Sequence, residues 1–254
     1  MLPRRTFLAV AAAGAATTVF RPTALMAQAG ASDSYATDGG EVVIRPVSHA
    51  SFVMETPSGV IYCDPVGEAA QYEDMPAPDL ILITHEHGDH YNADTLAALV
   101  GASTQLVTNP AVYEKMPDGL KARATALANG EKAMVIGVDI DAVPAYNTTE
   151  ERKQYHPEGR DNGYVLNIDG LTVYIAGDTE DTREMRALTD IDVAFVPMNL
   201  PYTMTEEQAA SGVAAFAPKV VYPYHYRDSD PEKFAQLLSD EGAETEVVIG
   251  PWYG

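Results

Sequence analysis

The sequence predicts an α/β protein that folds as a four-layer αββα sandwich. One observation is that short apolar runs typical of strands fall in two groups, one in each half of the chain, and that segments with a helical pattern flank both groups. The other is that most of the histidines and several carboxylates follow these strands directly. Two β-rich halves packed face to face would bring such loops to one edge, with helices on both outer faces.

Strands and helices are predicted throughout the chain after its N-terminal segment. Apolar or alternating runs predict strands over residues 41–45, 51–55, 59–63, 79–84, 104–108, 133–143, 163–168, 171–176, 191–196, 219–224 and 246–249. Helical patterns cover residues 92–100, 110–116, 181–188, 205–216 and a last stretch from 230. Two local signals support these assignments. Asp169-Gly170 suits the type I′ turn of a hairpin, and Thr205 with Gln208 forms a capping box at a helix start.

A dense run of histidines and carboxylates follows the predicted buried strand 79–84, in the order Thr84-His85-Glu86-His87-Gly88-Asp89-His90. In a tight loop, His85 and His87 can both turn toward one point and offer two imidazoles to one metal ion. Gly88 has backbone freedom that other residues lack, so the next two residues can face a neighbouring point. Imidazole and carboxylate ligands together suit zinc, with iron or manganese as alternatives. The loop can therefore supply ligands to two metals, whereas the competing interpretation is a solvated polar loop.

The spacing His85-x-His87-x-Asp89-His90 after an apolar strand resembles the metal-binding motif of the metallo-β-lactamase superfamily. Residues 41–250 are most similar to a group of metal-dependent hydrolases that includes ascorbate-phosphate lactonase-like members. The resemblance implies the αββα fold and hydrolysis of an ester, amide, lactone or phosphodiester. It also implies that Asp178, directly after a predicted hairpin, bridges two metals, and that His225, at a late strand end, is the last ligand of the second metal.

The third ligand of the first metal departs from the pattern of the superfamily. Most members place a histidine at the end of the strand that here leads to Tyr146-Asn147. The segment resembles a subgroup with the same Ala-Tyr-Asn and a later His-Pro, which would make His156 the substitute ligand. A loop of about ten residues can return a side chain to the strand end. The alternative is that His156 is a surface histidine before Pro157.

Three further residues are candidates for the surroundings of the metals. His49, in His-Ala-Ser between two strands, lies near the active site in the resembled family; it is either a pocket residue or a plain structural polar group. Asp64 could orient a ligand imidazole, because ligating histidines usually donate their other N–H to a carboxylate or carbonyl; otherwise it caps a turn before Pro65. Tyr202 is a candidate for substrate binding or oxyanion contact, with apolar packing as the alternative.

The resemblance and the residues together predict two metal sites that share one carboxylate. The predicted ligands are His85, His87, His156 and Asp178 for the first metal, and Asp89, His90, His225 and Asp178 for the second. Two divalent ions, zinc in the first place with Mn²⁺ or Fe²⁺ as alternatives, would share a hydroxide that attacks an ester, lactone or phosphodiester while Asp89 holds it. The alternatives are a mononuclear iron redox enzyme or dioxygenase and a non-catalytic metal-binding module. Tyr146-Asn147 argues against a true β-lactamase.

The N-terminal residues 1–29 are predicted to be an export signal, which leaves 30–254 as one hydrolase domain. Arg4-Arg5 precedes an apolar stretch to Phe20, and Ala27-Gln28-Ala29 offers a small-residue cleavage site. The arginine pair resembles a twin-arginine signal. The apolar stretch of roughly 14 residues is shorter than the ~20 that span a bilayer, so cleavage is favoured over a membrane anchor. We expect a periplasmic or secreted protein without a stable membrane anchor.

The charge of the chain restricts its partners. The net charge is −21 at pH 7, and without the three arginines of the predicted signal, 13 basic residues face 37 acidic ones, a net charge of −24. A protein with this charge repels the phosphate backbone of nucleic acids, so we expect a small-molecule substrate and no nucleic-acid partner. A saline habitat is an alternative reason for the acidity. The single cysteine, Cys63, excludes an internal disulfide and reads as a core thiol. The oligomeric state is left open.

Overall fold

The computed structural model describes residues 25–26 and 33–253, which form fifteen strands, six α-helices and one turn of 3₁₀-helix. The strands are β1 Leu25–Met26, β2 Asp33–Ala36, β3 Glu41–Ser48, β4 Ser51–Thr56, β5 Gly59–Cys63, β6 Leu80–Leu82, β7 Gln105–Thr108, β8 Ala124–Ala126, β9 Lys132–Val135, β10 Val138–Ala145, β11 Asp161–Ile168, β12 Leu171–Ile175, β13 Val193–Pro197, β14 Val220–Tyr224 and β15 Glu246–Ile249. The helices are α1 Ala93–Leu99, α2 Pro110–Lys115, α3 Asp118–Lys121, α4 Arg183–Arg186, α5 Glu206–Phe216 and α6 Pro231–Asp240, and the 3₁₀ turn is Ala69–Tyr72.

The strands form two mixed sheets. The first sheet has the order β2-β3-β4-β5-β6-β7-β8, and the second has the order β1-β15-β14-β13-β12-β11-β10-β9. In each sheet an antiparallel part built from hairpins continues into a parallel part, which comprises β5 to β8 in the first sheet and β12 to β15, joined by β1, in the second. Because the carboxyl ends of parallel strands meet at the same sheet edge, the loops after these strands converge.

The main hydrophobic core lies between the two sheets. Alternate residues of a strand enter it, as in β4, where Phe52 and Met54 belong to this core while Val53 faces the other way. The ring of Phe52 stacks on Phe195 of the second sheet, with ring centroids 4.1 Å apart and planes at 18°. Full burial of a side chain of this size stabilises the fold by about 1.5–3 kcal/mol. The sheets are therefore held face to face by aromatic and aliphatic packing.

Helices cover the outer face of each sheet. Leu96 of α1, Val112 of α2 and Leu120 of α3 pack with outward residues of the first sheet. Met185 of α4, with buried residues of α5 and α6, packs with outward residues of the second sheet. The predicted α/β architecture with αββα layers is confirmed.

Local signals in the sequence placed most elements correctly. Asp169 and Gly170, with φ of 50° and 86°, form the left-handed turn of the β11–β12 hairpin. Thr205 and Gln208 form the expected capping box of α5. The helix predicted over 181–188 is shorter, because Thr182 caps it and only Arg183–Arg186 is helical. The sequence did not indicate β2, β8, α3 or the 3₁₀ turn, which have three or four residues each.

Most of the predicted signal, residues 1–24 and 27–29, lies outside the described residues. Leu25–Met26, which falls within the same segment, pairs in parallel with Val248 and Ile249 of β15. The domain boundary at residue 29 stays a prediction. In residues 25–26 and 33–253, none of the helices combines the length and the apolar character that crossing a bilayer requires.

Candidate metal centre

Three histidines form a first cluster of donor atoms. His85 and His87 lie in the loop after β6, and His85 Nε2 is 3.1 Å from His87 Nδ1. His156, from the long loop between β10 and β11, joins them, and the three donor nitrogens lie within 4.8 Å of one another. We call His85, His87 and His156 the first cluster. Its geometry matches three ligands around one cation.

A second cluster lies beside the first. It consists of Asp89 and His90 from the same loop, His225 after β14, and His49 from the β3–β4 turn, with donor atoms within 4.8 Å of one another. His225 Nε2 is 3.4 Å from Asp89 Oδ2. The loop after β6 therefore contributes to both clusters, as its spacing predicts, and His49 belongs to the second one.

Asp178 lies between the two clusters, in the loop after β12. Its Oδ2 is 3.8 Å from His85 Nε2, 3.4 Å from His156 Nε2 and 3.3 Å from His225 Nε2. Its Oδ1 is 3.4 Å from His90 Nε2. Gly177 permits this approach, because its φ is +66° and an added Cβ would lie 2.8 Å from the carbonyl oxygen of Asn162. One carboxylate thus faces histidines of both clusters.

The residues of the two clusters fit metal ions. His90 Nε2, His156 Nε2, Asp178 Oδ1 and both ring nitrogens of His225 are buried without a hydrogen-bond partner among the described residues. Buried polar atoms in folded proteins are nearly always paired, because an unpaired one loses its hydration without compensation. Four of these five atoms point at neighbouring donor atoms of the clusters. Coordination of cations would satisfy them.

Burial favours the form of imidazole that binds metals. Burial lowers the pKa of His85 well below its ordinary value, and the neighbouring His90 and His156 lower it further. Burial and His156 also lower the pKa of His87. Both rings are therefore neutral at pH 7, which is the state in which imidazole coordinates a metal.

The charges of the carboxylates act in the opposite direction on His90. Burial lowers its pKa, but Asp178 and Asp64 outweigh burial and raise the pKa of His90 to about 9. Burial raises the pKa of Asp178, yet His225 and His90 bring it below its usual range. The pKa of Asp89 is also low, since hydrogen bonds with His225 and His49 outweigh burial. Both carboxylates are ionised, and coordination at His90 would release a proton.

Asp64 orients His90. This fully buried carboxylate accepts hydrogen bonds at Oδ1 from the backbone N–H of Thr84 at 2.8 Å and at Oδ2 from the Thr84 hydroxyl at 2.6 Å. His90 Nδ1 lies 2.8 Å from the same Oδ2 and donates to it. Because this bond keeps a proton on Nδ1, the proton that coordination would release is the one on Nε2, which faces Asp178 and would then offer its lone pair to a metal.

His156 is oriented by a residue that the sequence did not single out. Its Nδ1 lies 3.0 Å from Oδ2 of the buried Asp161, and Arg160 Nε donates to Oδ1 of the same carboxylate at 2.7 Å. The backbone N–H of Asn147 donates to the carbonyl oxygen of His156 at 2.8 Å, which closes the loop. The only signal in the sequence was an acid five residues after a histidine at the start of a predicted hairpin.

Glu180 holds the loop that carries His156, and sequence reasoning also missed it. The fully buried Glu180 Oε2 accepts from the backbone N–H groups of Thr148 at 2.7 Å and Thr149 at 2.6 Å, and Arg152 pairs with Oε1 at 2.6 Å. Burial raises the pKa of Glu180, but the hydrogen bonds from Thr149 and Thr148 outweigh burial and lower the pKa to about 2. The position two residues after Asp178 was the only hint of its role.

Tyr202 and His49 have different surroundings. Tyr202 is 43% exposed, its ring lies edge-on to Tyr155 with centroids 4.9 Å apart, and its hydroxyl has no hydrogen bond within residues 33–253. His49 is buried beside the second cluster, with Nε2 3.1 Å from Asp89 Oδ2 and its ring 3.8 Å from that of His225. His49 is thus in direct contact with predicted ligands, whereas Tyr202 is near the loop of His156.

The comparison with protein families gives a match over most of the described chain. The sequence model of the beta-lactamase superfamily domain matches residues 44–225. The chain is 34% identical over 223 residues to the UPF0173 metal-dependent hydrolase of Pyrococcus horikoshii, which covers 82% of this chain and 96% of that protein.

Solved structures give the same result. The crystal structure of a proposed metal-dependent hydrolase from Parabacteroides distasonis is 44% identical, has a TM-score of 0.80, and covers 86% of this chain and 97% of its own. The structure of a metallo hydrolase from the archaeon Ignicoccus hospitalis is 25% identical, has a TM-score of 0.68, and covers 83% of this chain and 95% of its own.

The predicted periplasmic or secreted location is wrong in the light of these relatives. The UPF0173 metal-dependent hydrolases that this chain resembles come from archaea and from a bacterium, and the resemblance gives no support for export. That expectation rests on the N-terminal pattern alone, most of which lies outside the described residues.

The relatives are similar to this chain over nearly their whole length, and the match includes the loops that carry both donor clusters. Their names agree with the chemistry that these clusters can perform, since buried imidazoles and carboxylates with unpaired donor atoms are suited to a metal-dependent enzyme. The chain therefore belongs to the metallo-β-lactamase superfamily and, within it, to the UPF0173 family of metal-dependent hydrolases.

Proposed function

We propose that this hydrolase uses two metal ions and cleaves an ester, a lactone or a phosphodiester of a small molecule. The observation that carries the proposal is the position of Asp178, whose Oδ2 faces histidines of both clusters and whose Oδ1 faces His90 of the second, all at 3.3–3.8 Å. A single buried carboxylate between two sets of imidazoles is suited to bridging two cations.

The chain offers a complete ligand set for each ion. The first would be held by His85, His87, His156 and Asp178, and the second by Asp89, His90, His225 and Asp178. Nitrogen and oxygen donors of this kind favour zinc, with Mn²⁺ or Fe²⁺ as alternatives. When bound, such ions supply Lewis acidity that lowers the pKa of a water molecule toward ~7 and polarises a carbonyl or phosphoryl oxygen.

Asp89 is the residue best placed to orient the attacking water. Its side chain is 39% exposed, whereas those of His90, Asp178 and His225 are at most 3% exposed. Oδ2 is engaged by His49, so Oδ1 is the atom that accepts a hydrogen bond from water. Because the pKa of Asp89 is held low, the group stays a carboxylate and directs the water rather than storing its proton.

Tyr202 is proposed to contact the substrate. Its exposed ring lies against Tyr155, the residue before His156, and its carbonyl oxygen accepts from the Asn147 side chain at 2.7 Å. The neighbouring Leu200 is 47% exposed, which gives this rim an apolar part. The Tyr202 hydroxyl can donate to a substrate oxygen. The net charge of −21 favours neutral esters and lactones over polyanions, so a phosphorylated substrate of the ascorbate-phosphate lactonase type is disfavoured.

The test begins with the metal content per chain of protein purified without chelator. We expect two metals in the wild type and about one in His156→Ala, because that variant removes one ligand of the first cluster only. Gln154→Ala is the matched control: Gln154 lies on the same loop, and within residues 33–253 its side chain bonds only to the carbonyl oxygen of Glu151. One metal in the wild type, or no loss in His156→Ala, would contradict the two-metal proposal.

Activity is then measured on a panel of esters, lactones and phosphodiesters. We expect turnover by the wild type and none by Asp89→Ala, while the circular dichroism spectrum of the variant stays that of the wild type. Full metal content without turnover of any compound in the panel would favour a metal-binding module. Retained activity in Asp89→Ala would exclude the proposed role of Asp89.

A further inference from the structure

The backbone of His49 is held by two distant segments. His49 lies in the β3–β4 turn with a φ of +55°, a conformation that is unfavourable for residues other than glycine. Its N–H donates to the carbonyl oxygen of Trp252 at 3.1 Å, and its own carbonyl oxygen accepts from His225 N–H at 3.0 Å. Trp252 is 1% exposed and packs edge-on against Phe52. The C-terminal segment, residues 250–253, is therefore anchored in the core and fixes His49 beside the metal centre.

A directed chain of hydrogen bonds runs from this segment to Asp89. The backbone N–H of Arg227 donates to the Tyr253 hydroxyl oxygen at 2.9 Å. Since a backbone N–H can only donate, the proton of the Tyr253 hydroxyl is free to bond to His49 Nδ1, 2.8 Å away. The imidazole then carries its proton on Nε2, which faces Asp89 Oδ2 at 3.1 Å. An ionised carboxylate can only accept, so the Asp89 end of the chain requires this direction and the Arg227 end is compatible with it.

Asp89 needs this support more than His90 and His225 do. Its side chain is 39% exposed, so packing does little to fix the carboxylate, whereas the side chains of His90 and His225 are at most 1% exposed. We propose that Tyr253 is a positioning residue of the metal centre, which holds His49 as the Nε2–H tautomer so that His49 fixes Asp89 beside His90 and His225. The inference rests on the proposed two-metal site and adds the C-terminal segment to it.

The competing arrangement is direct ligation by His49. A 3.1 Å separation between His49 Nε2 and Asp89 Oδ2 also suits two ligands of one cation. Ligation would require the opposite tautomer, with the proton on Nδ1 and donated to the Tyr253 oxygen. The two arrangements therefore differ in which ring nitrogen carries the proton.

The first experiment is a long-range ¹H–¹⁵N correlation spectrum of the His49 ring, recorded on metal-free and on zinc-loaded full-length protein. We expect the Nε2–H tautomer in both states of the wild type and a mixture of tautomers in Tyr253→Phe. The matched control is Tyr226→Phe, because the Tyr226 ring packs on that of Tyr253 at 4.8 Å and lacks the bond to His49. The Nδ1–H tautomer in the wild type would overturn the proposal.

The second experiment measures the affinity of each zinc separately by competition with a chromogenic chelator. We expect Tyr253→Phe to weaken the second zinc by about 10-fold, as is typical when a residue that orients a ligand is lost, and to leave the first unchanged. His49→Gln, which retains a side-chain N–H donor, should bind the second zinc more tightly than His49→Ala. Equal loss in both His49 variants, or an unchanged second zinc in Tyr253→Phe, would refute the positioning role.

The two proposals can fail separately. A wild-type protein that takes up only one zinc would refute the two-metal function, whereas the tautomer of His49 in the metal-free protein still reports on Tyr253.

Discussion

Replacing Asp64 with asparagine would reverse the hydrogen bond that orients His90 while hardly changing the shape of the side chain. Asp64 Oδ1 accepts from the backbone N–H of Thr84, which can only donate, so the amide oxygen of the asparagine must take this place. The amide NH₂ then lies where Oδ2 was, 2.8 Å from His90 Nδ1. Two donors cannot bond to each other, so His90 must accept at Nδ1 and carry its proton on Nε2.

The size of the effect follows from the loss of the lone pair at His90 Nε2. A proton on Nε2 occupies the position through which His90 would bind the second metal. Changes to residues that orient a metal ligand cost about 10–100-fold in affinity, which corresponds to about 1.4–2.8 kcal/mol. The first cluster keeps all of its ligands, so its affinity should stay unchanged. In the metal-free protein, charge-assisted hydrogen bonds become neutral ones, at a cost of roughly 1 kcal/mol in the free energy of unfolding.

Isothermal titration of metal-free protein with zinc would measure both sites. The matched control is Asp79→Asn, because Asp79, directly before β6, likewise accepts from a backbone N–H, that of Val60 at 2.9 Å, but lies outside both clusters. We expect the control to bind like the wild type and Asp64→Asn to lose affinity at the second site alone. Wild-type affinity at that site in Asp64→Asn would refute the assigned tautomer of His90.

Three further predictions concern stability. Removal of metal by a chelator should lower the melting temperature by roughly 20 °C, about 10 °C for each of the two proposed metals, if free metal exceeds each Kd a thousandfold before removal. Calorimetry should show recovery when zinc is added back, which is the control; no shift would mean that metal binding does not stabilise the fold. Glu180→Gln should lower the free energy of unfolding by about 3 kcal/mol, because a buried ion pair with Arg152 loses one partner; a urea titration unchanged from the wild type would contradict this. Gly163→Ala should cost about 2 kcal/mol or more, since its Cβ would lie 2.7 Å from two backbone oxygens, whereas Gly119→Ala, with nothing within 4 Å, should be neutral or stabilising.

Much of the fold could be predicted because its signals are local. The Asp169-Gly170 turn and the Thr205 capping box are interactions between residues at most three positions apart, so the sequence order alone brings them together. Elements of three or four residues, such as β8 and α3, were missed because so short a run has no measurable periodicity. Their conformation follows from the neighbours on which they pack.

In the metal centre, too, the residues that are close in the sequence were predicted, and those that meet only in the folded chain were not. His85, His87, Asp89 and His90 lie within six residues after a buried strand, and the structure brings all of them to the donor clusters. Asp161 could be recognised only once His156 was seen beside it, and Tyr253 is 204 positions from His49. The number of residues between two positions does not tell whether their side chains touch in the folded protein.

The sequence by itself determined the class of fold, the family and the candidate ligands, because strand patterns, turns and the histidine loop are properties of short segments. It did not determine location, where a compositional pattern at the N-terminus gave a wrong expectation. Only the tertiary structure decided that Asp178 lies between the two clusters and that Tyr253 reaches His49. It also decided that Asp64 orients His90, that Asp161 orients His156, and that Glu180 holds the loop of His156. The physical reason is that tautomers and side-chain orientations are set by partners from other strands, and these meet only when the two sheets pack.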